Sequence, residues 1–416
     1  MNSRKAFVGM GLLVNLLMLV RGVILMAVLG YSDLGLVALV QSAILFGGML
    51  HFGLLNGGYR LLCSASDRQK QRIINLAYAG FGLIAAVIAI IALVVALVQT
   101  DAVYRWVAAM TGAGALATLM RSWMMNEMVA TGRLKAANII NAISMAVSLG
   151  LLTMVASAPA LVAVSSIVIQ PILFIVLALV SGAVIRPKQL RFSKRVGGII
   201  FKAGFVLFLT GIAIQFNSFL ERSYVSSELG LESLGRLYLA FLFLTLFQMA
   251  PNLVQQVFLP VIVSHWKARE PDLVQQELAN LRMITFAYCA ATAVALWLVA
   301  PPLLGLVLPQ YVDDLRWVYL LAPGVIAFAI SAPYALMFNV VINYRWYLIA
   351  YGAGTAGTIL AFGGAIVLGQ SFSLDGVIIL RSAIYAVMAA LLVAGWWRLS
   401  RDHPAFRPDS PVSAAA

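Results

Sequence analysis

Leu29-Gly30-Tyr31-Ser32-Asp33-Leu34-Gly35 links two long apolar runs, and a related stretch, Leu229-Gly230-Leu231-Glu232-Ser233-Leu234-Gly235, follows two hundred positions later. The register extends outward from the turn. Leu39 matches Leu239 and Met49 matches Met249 at the same offset. Each copy is a short acidic turn between segments long enough to cross a bilayer. A recurrence at one fixed offset is the mark of a chain built from two related halves.

Composition sets the class in which that repeat is read. Hydrophobic residues make up 62% of the 416-residue chain and charged residues 10%, with a mean hydropathy of +0.97. Soluble domains are about half apolar and a quarter charged, so this is a polytopic membrane protein. Its length is then a number of crossings, each needing about 20 apolar residues. The net charge of +13 would point to nucleic acid in a soluble protein. In a membrane protein it is a matter of placement, and no nucleic-acid partner is expected.

Twelve apolar segments follow in order. The first six are 6–30, 34–62, 73–98, 102–121, 136–154 and 160–184. The second six are 197–220, 237–264, 283–308, 317–343, 346–368 and 374–397. The first is too long for a cleaved signal peptide and is interrupted by Arg21, so it reads as a permanent helix. With the N-terminus placed in the cytoplasm and the crossings alternating, 22 of the 28 basic residues fall on the cytoplasmic side, as the positive-inside tendency requires. An odd number of crossings breaks the pattern. The expected fold is therefore all-α, with twelve transmembrane helices in two pseudo-symmetric six-helix bundles and both termini cytoplasmic. The N-terminal lobe covers 1–185, and a basic cytoplasmic connection covers 186–202. The C-terminal lobe covers 197–398, and a disordered tail covers 399–416.

Same-orientation halves related by an axis normal to the membrane are a transporter architecture, with substrate bound between them. The first, second, seventh and eighth helices are expected to line the path. Ile88 and Ile175, on the third and sixth, are expected to face lipid. Polar groups inside spans cost free energy unless they meet a cavity or a partner. The candidates are Arg21, Gln41 and His51 in the first two helices, Gln215, Glu221 and Arg222 in the seventh, Gln248, Asn252 and Gln255 in the eighth, and Arg381 in the last. Gln215 and Arg222 share a helix face with Ser218. Gln248, Asn252 and Gln255 form a second stripe of that kind.

Each candidate has a plainer alternative. Arg21 and Glu221, two hundred positions apart, suit a static bridge nearly as well as a substrate role. His51, among Gly47, Gly48 and Gly53, suits packing. Glutamine and asparagine often only join helices. Six basic residues lie on the disfavoured side: Arg21, Arg105, Arg222, Arg236, Arg316 and Arg381. Arg105, Arg236 and Arg316 suit snorkelling to lipid phosphates. The other three suit an anion such as phosphate, because arginine carries a fixed charge and grips two oxygens at once.

Other chemistry is not written in the chain. Cys63 and Cys289 make neither a disulfide framework nor a metal site, and His51 has no second histidine in reach. Gly352-Ala353-Gly354-Thr355-Ala356-Gly357 matches a dinucleotide fingerprint only formally. It lies in an apolar helix, without the preceding strand or the following acid, and helix packing explains it better. No Walker A sequence is present. No cofactor, no metal and no enzymatic activity are expected.

At Leu29-Gly30 with Leu34-Gly35, at Phe52-Gly53-Leu54-Leu55-Asn56-Gly57-Gly58, at Leu229–Gly235 and at Leu259-Pro260-Val261-Ile262-Val263-Ser264, the chain resembles the polysaccharide (O-antigen type) flippases of the multidrug/oligosaccharidyl-lipid/polysaccharide exporter superfamily. Tyr31 departs from the family pattern, in which a tyrosine often stands directly before the second glycine. Lipid II flippases of the same superfamily typically carry two further helices. The resemblance implies alternating-access flipping of an undecaprenyl-pyrophosphate-linked oligosaccharide across the bacterial inner membrane, for O-antigen (lipopolysaccharide), exopolysaccharide or capsule. It implies that Arg21, Arg222 and Arg381 hold the pyrophosphate and that Gln248, Asn252 and Gln255 bind sugar. The partners implied are the lipid-linked oligosaccharide, the phospholipid bilayer and other polysaccharide-assembly membrane proteins. An ion-coupled drug or metabolite antiporter of the same superfamily, with Glu221 as the coupling acid, is the alternative. A membrane-embedded polysaccharide polymerase or ligase is a weaker one, because every outward connection is short.

Overall fold

The structure is a computed structural model that describes residues 2–63, 65–190 and 193–402. Among them the secondary structure is helical throughout. Fifteen α-helices run in order: α1 (Asn2–Val28), α2 (Tyr31–Gly48), α3 (Leu54–Leu62), α4 (Asp67–Val98), α5 (Ala102–Ala130), α6 (Leu134–Leu151), α7 (Pro159–Val180), α8 (Lys194–Tyr224), α9 (Gly230–Arg236), α10 (Tyr238–Ala268), α11 (Pro271–Leu298), α12 (Ala300–Val307), α13 (Leu315–Val341), α14 (Arg345–Leu368) and α15 (Leu374–Asp402). Ten segments are long and apolar enough to cross a membrane. The helices α5 and α10, of 29 and 31 residues, add two more of spanning length at about 1.5 Å per residue. The chain is a multi-pass membrane protein with the twelve crossings its apolar runs predict.

Capping side chains mark where helices enter from loops. Ser66 and Gln69 form a reciprocal capping box at the start of α4. The Asp101 carboxylate accepts from the backbone N–H groups of Val103 and Tyr104 at the start of α5. Along α4 the apolar surface is divided between two environments. Ile74, Ala77 and Phe81 are buried against neighbouring helices, whereas Leu83, Leu93, Leu97 and Val98 are more than half exposed, as a lipid-facing stripe must be. Ile88, expected to face lipid, belongs instead to the buried set. A helix apolar on every side gives no periodic sign of which face meets protein.

Among the spans that depart from single straight helices are the second and the seventh. The second is α2 and α3, joined by a break at Met49–Gly53. Phe52 and Gly53 both have positive φ, at 45° and 83°, and the buried His51 ring accepts the Gly53 N–H at Nδ1. The seventh, α8, ends in a π turn over Val225–Leu229 before Gly230 turns the chain into α9. Helix α5 also continues nine residues beyond the expected end at Arg121. Arg121 and Glu127 therefore belong to the helix and not to a loop.

The chain divides into two compact units, Met1–Gly235 and Arg236–Ala416. In the first, α1 to α7 pack with α8, which lies along α2 and α3. This compact division falls after Gly235, later than the basic connection at 186–202. The reason is that glycines let the backbone of α8 and α9 come directly against α2 and α3. A Cβ on Gly57 would overlap the Ile200 carbonyl, and one on Gly204 would overlap the backbone at Gly53 and Gly57. At the other end, a Cβ on Gly35 would overlap the Leu231 carbonyl and one on Gly235 the Tyr31 carbonyl. The two repeat-related turns thus meet reciprocally, position 31 with 235 and position 35 with 231, the pattern a local twofold produces.

In the second unit, α13 is the central helix, packed against α10, α11 and α15. Its closest approach to α15 is at Gly324, whose N–H donates to Ser382 Oγ at 3.0 Å and whose Cα faces the Ser382 backbone. Trp317 Nε1 donates to Asp375 Oδ1 at 2.7 Å. Pro323 and Pro333 lie inside α13. Each removes one helical N–H donor, which inside a membrane is tolerated because neighbouring groups satisfy the freed carbonyls.

Candidate functional site

Within the first unit, the cation placed in the first span is fixed from three helices. Arg21 on α1 is 6% exposed. Its Nη1 donates to Ser148 Oγ on α6 and to Gln170 Oε1 on α7, both at 3.2 Å. Ser148 Oγ donates in turn to the Ser166 carbonyl at 2.6 Å, which orients its lone pairs toward the guanidinium. Gln170 directly precedes Pro171, and this Gln-Pro step lies within α7, whose other polar side chains are Ser165 and Ser166.

A second guanidinium stands nearby. Arg121 on α5 donates from Nη2 to Asn141 Oδ1 on α6 at 2.8 Å and lies over the Phe174 ring, 5.5 Å from its centroid. Asn141, Ser144 and Ser148 are all buried and continue a polar seam along α6. The interior of this six-helix region is therefore cationic, lined by hydroxyls and amides.

Arg222 takes a different place. From α8 its Nη1 donates to the Ala38 carbonyl of α2 at 3.0 Å. It is thus held at the seam between those helices. Glu221 beside it is 3% exposed. Gln41 and Gln215 are half-buried and make no hydrogen bond among the described residues. His51 is fully buried, with its ring edge on Phe208 at 5.2 Å. It shapes the break between α2 and α3.

In the second unit, Arg381 on α15 is 6% exposed. It donates from Nη2 to Tyr385 Oη at 2.9 Å and lies over the rings of Tyr385 and Phe241, at 5.3 and 5.6 Å. Tyr385 in turn packs on Phe328. Gln248 and Gln255 lie on α10 and are half-buried. The Asn252 side chain lies outside the described residues, as does the segment 403–416.

The structure brings Arg21 together with Ser148 and Gln170, and Arg222 with Ala38 of α2. Sequence reasoning missed Arg121, Asn141, Ser148 and Gln170. Gln170 carried a signal, an amide inside an apolar span. Arg121 stands at the last position of the apolar segment 102–121, where nothing in sequence marks it as half-buried. Among the described residues, no group of three or more His, Cys, Asp or Glu side chains is placed to hold a metal ion.

No protein-family model matches the chain, and no curated protein sequence matches it. Solved structures do. An inward-facing multidrug resistance MATE family transporter of the MOP superfamily superposes with a TM-score of 0.72 at 14% identity, covering 93% of this chain and 95% of that one. The lipid II flippase MurJ, in an inward closed conformation, superposes with a TM-score of 0.72 at 15% identity, covering 94% and 87%. A MOP superfamily transporter from Pyrococcus furiosus, described as having a binding pocket of reversed polarity, gives 0.64 at 14% identity, covering 96% and 95%. The chain shares its fold with these transporters and with this flippase.

Proposed function

We propose that the chain is a flippase that carries a pyrophosphate-linked oligosaccharide on a polyprenyl lipid across the bacterial inner membrane, with both termini cytoplasmic, as a step in polysaccharide biosynthesis. The observation that carries this reading is the fixation of Arg21 by neutral partners on α6 and α7. A guanidinium in a membrane interior is costly. A hydroxyl and an amide orient it within the bundle, and a guanidinium is a strong donor to phosphate oxygens. Arg121, Arg222 and Arg381 extend the supply of buried or half-buried cations, a set suited to an anionic headgroup and ill suited to a cationic drug. The lipid tail stays in the bilayer, and amides such as Gln41, Gln215, Gln248 and Gln255 offer hydrogen bonds to sugar.

A second reading, an ion-coupled drug or metabolite antiporter, is favoured by the buried carboxylate of Glu221 and by the equal likeness to a MATE transporter. One reconstitution separates the two. Proteoliposomes are loaded in one preparation with undecaprenyl-pyrophosphate-linked oligosaccharide and in another with a cationic dye under an imposed proton or sodium gradient. The flippase reading expects the glycan to become accessible to an external glycosidase and the dye to stay inside. Gradient-driven dye movement with static glycan reverses the assignment.

A further inference from the structure

A second cationic feature lies away from the buried arginines, at the start of α4. There a cavity of about 580 Å³ is lined by Asp67, Arg68, Lys70, Gln71 and Arg72 of α4 and by Lys188 of the connection that follows α7. Its lining includes four cations and one carboxylate, and that carboxylate is engaged by Lys70 at 3.1 Å.

The wall formed by the connection is fixed. Arg133 Nη1 donates to the Gly182 carbonyl at 3.0 Å. The Ile185 N–H donates to Glu127 Oε1 on α5. Gln71 Nε2 donates to the Arg186 carbonyl at 3.2 Å and to Asn75 Oδ1 at 2.9 Å, and the Lys188 N–H donates to the same Asn75 oxygen at 3.0 Å. Basic loops that serve only to orient a membrane protein act by their number of charges, and no fixed shape is required of them. Here four hydrogen bonds from α4, α5 and the α5–α6 turn hold the connection, so that Ile185 and Lys188 line the cavity with the cations of α4.

We propose that this cavity is a binding site for a phosphate-bearing anion, separate from the transport path and independent of which substrate is carried. Two sources present that chemistry: the phosphate headgroup of an anionic lipid at the leaflet boundary, and a soluble phosphate compound. Lysine and arginine side chains around a concavity suit the several oxygens of either.

The full-length protein in phosphatidylcholine nanodiscs is titrated with inorganic pyrophosphate, followed by calorimetry. Saturable binding is expected. It should weaken at least about tenfold in the triple variant Arg68→Gln/Arg72→Gln/Lys188→Gln, since charge-assisted contacts to phosphate are the strong ones. Asn75→Ala keeps every charge and releases the connection, so it should weaken binding several-fold. In nanodiscs with phosphatidylglycerol, competition with pyrophosphate by the wild type and not by the triple variant assigns the site to a lipid headgroup. Unaltered pyrophosphate binding there assigns it to a soluble phosphate. The proposal is overturned if the wild type binds neither. It is equally overturned if the triple variant binds as the wild type does, or if Asn75→Ala binds as tightly as the wild type, because diffuse charge would then suffice. The altered cations are all exposed, and an unchanged unfolding midpoint confirms that each variant is folded.

Discussion

Gly35, in the first turns of α2, and Gly235, in α9, meet face to face, and a Cβ on either would strike backbone of the opposite helix, the Leu231 carbonyl in one case and the Tyr31 carbonyl in the other. The pair sits at matching positions of the repeat read in the sequence. A side chain cannot be accommodated by rotating a flexible neighbour, because the obstructing atoms are main chain.

Gly35→Ala and Gly235→Ala are each expected to destabilise the first unit by roughly 1–3 kcal/mol, the usual cost of overpacking. Gly352→Ala, at a position where a Cβ meets open space, should be neutral. The check is the unfolding midpoint in detergent. Equal midpoints for all three would mean that the close crossing does not exist.

The break between α2 and α3 depends on Gly53, at φ 83° and with its Cα against the backbone of Phe205. Gly53→Ala adds left-handed strain of about 1 kcal/mol or more to that contact. A lowered unfolding midpoint and faster proteolysis near residues 49–53 are expected. If the variant matches the wild type in both, the second span is continuous in solution.

The hydrogen bond from Arg21 to Gln170 predicts energetic coupling across 149 residues of sequence. A double-mutant cycle with Arg21→Met and Gln170→Leu should give a coupling of about 1.5–3 kcal/mol, the range for a hydrogen bond to a charged group. Additive effects would place the two side chains apart.

In the second unit, Trp317→Phe removes the donor to Asp375 and leaves the ring. A loss of about 1 kcal/mol or more is expected, because the carboxylate loses a charge-assisted partner. Arg316, 3.6 Å from the same carboxylate, limits the loss. A neutral outcome in thermal unfolding would show that the Trp317–Asp375 contact contributes nothing.

The twelve crossings were legible because hydrocarbon thickness imposes one length on every apolar run, and each run here meets it. The paired turns were legible from six identities at one offset. Other features depend on contacts between distant segments. Nothing near Arg21 in sequence announces Ser148 or Gln170. The extension of α5 past Arg121 was hidden because Arg121, Glu127 and Arg133 look like loop charges when written in a line. Each meets a partner only once α6 and the connection are in place. Ile88 illustrates the same limit for apolar residues, since burial and lipid exposure require the same side chains. The break at His51–Gly53 was foreshadowed by glycines, although they equally suited close packing, and both uses are present.

The most direct measurement is the rate at which lipid-linked oligosaccharide becomes accessible on the far side of proteoliposomes containing wild type, Arg21→Lys or Arg21→Ala protein at equal reconstituted amounts. Lysine keeps the charge but lacks the planar fork that can grip two phosphate oxygens at once. The expected order is wild type fastest, Arg21→Lys reduced by roughly tenfold or more, in keeping with loss of a hydrogen bond to a charged group, and Arg21→Ala at the protein-free background. An Arg21→Ala rate equal to that of the wild type would contradict the role assigned to this buried cation.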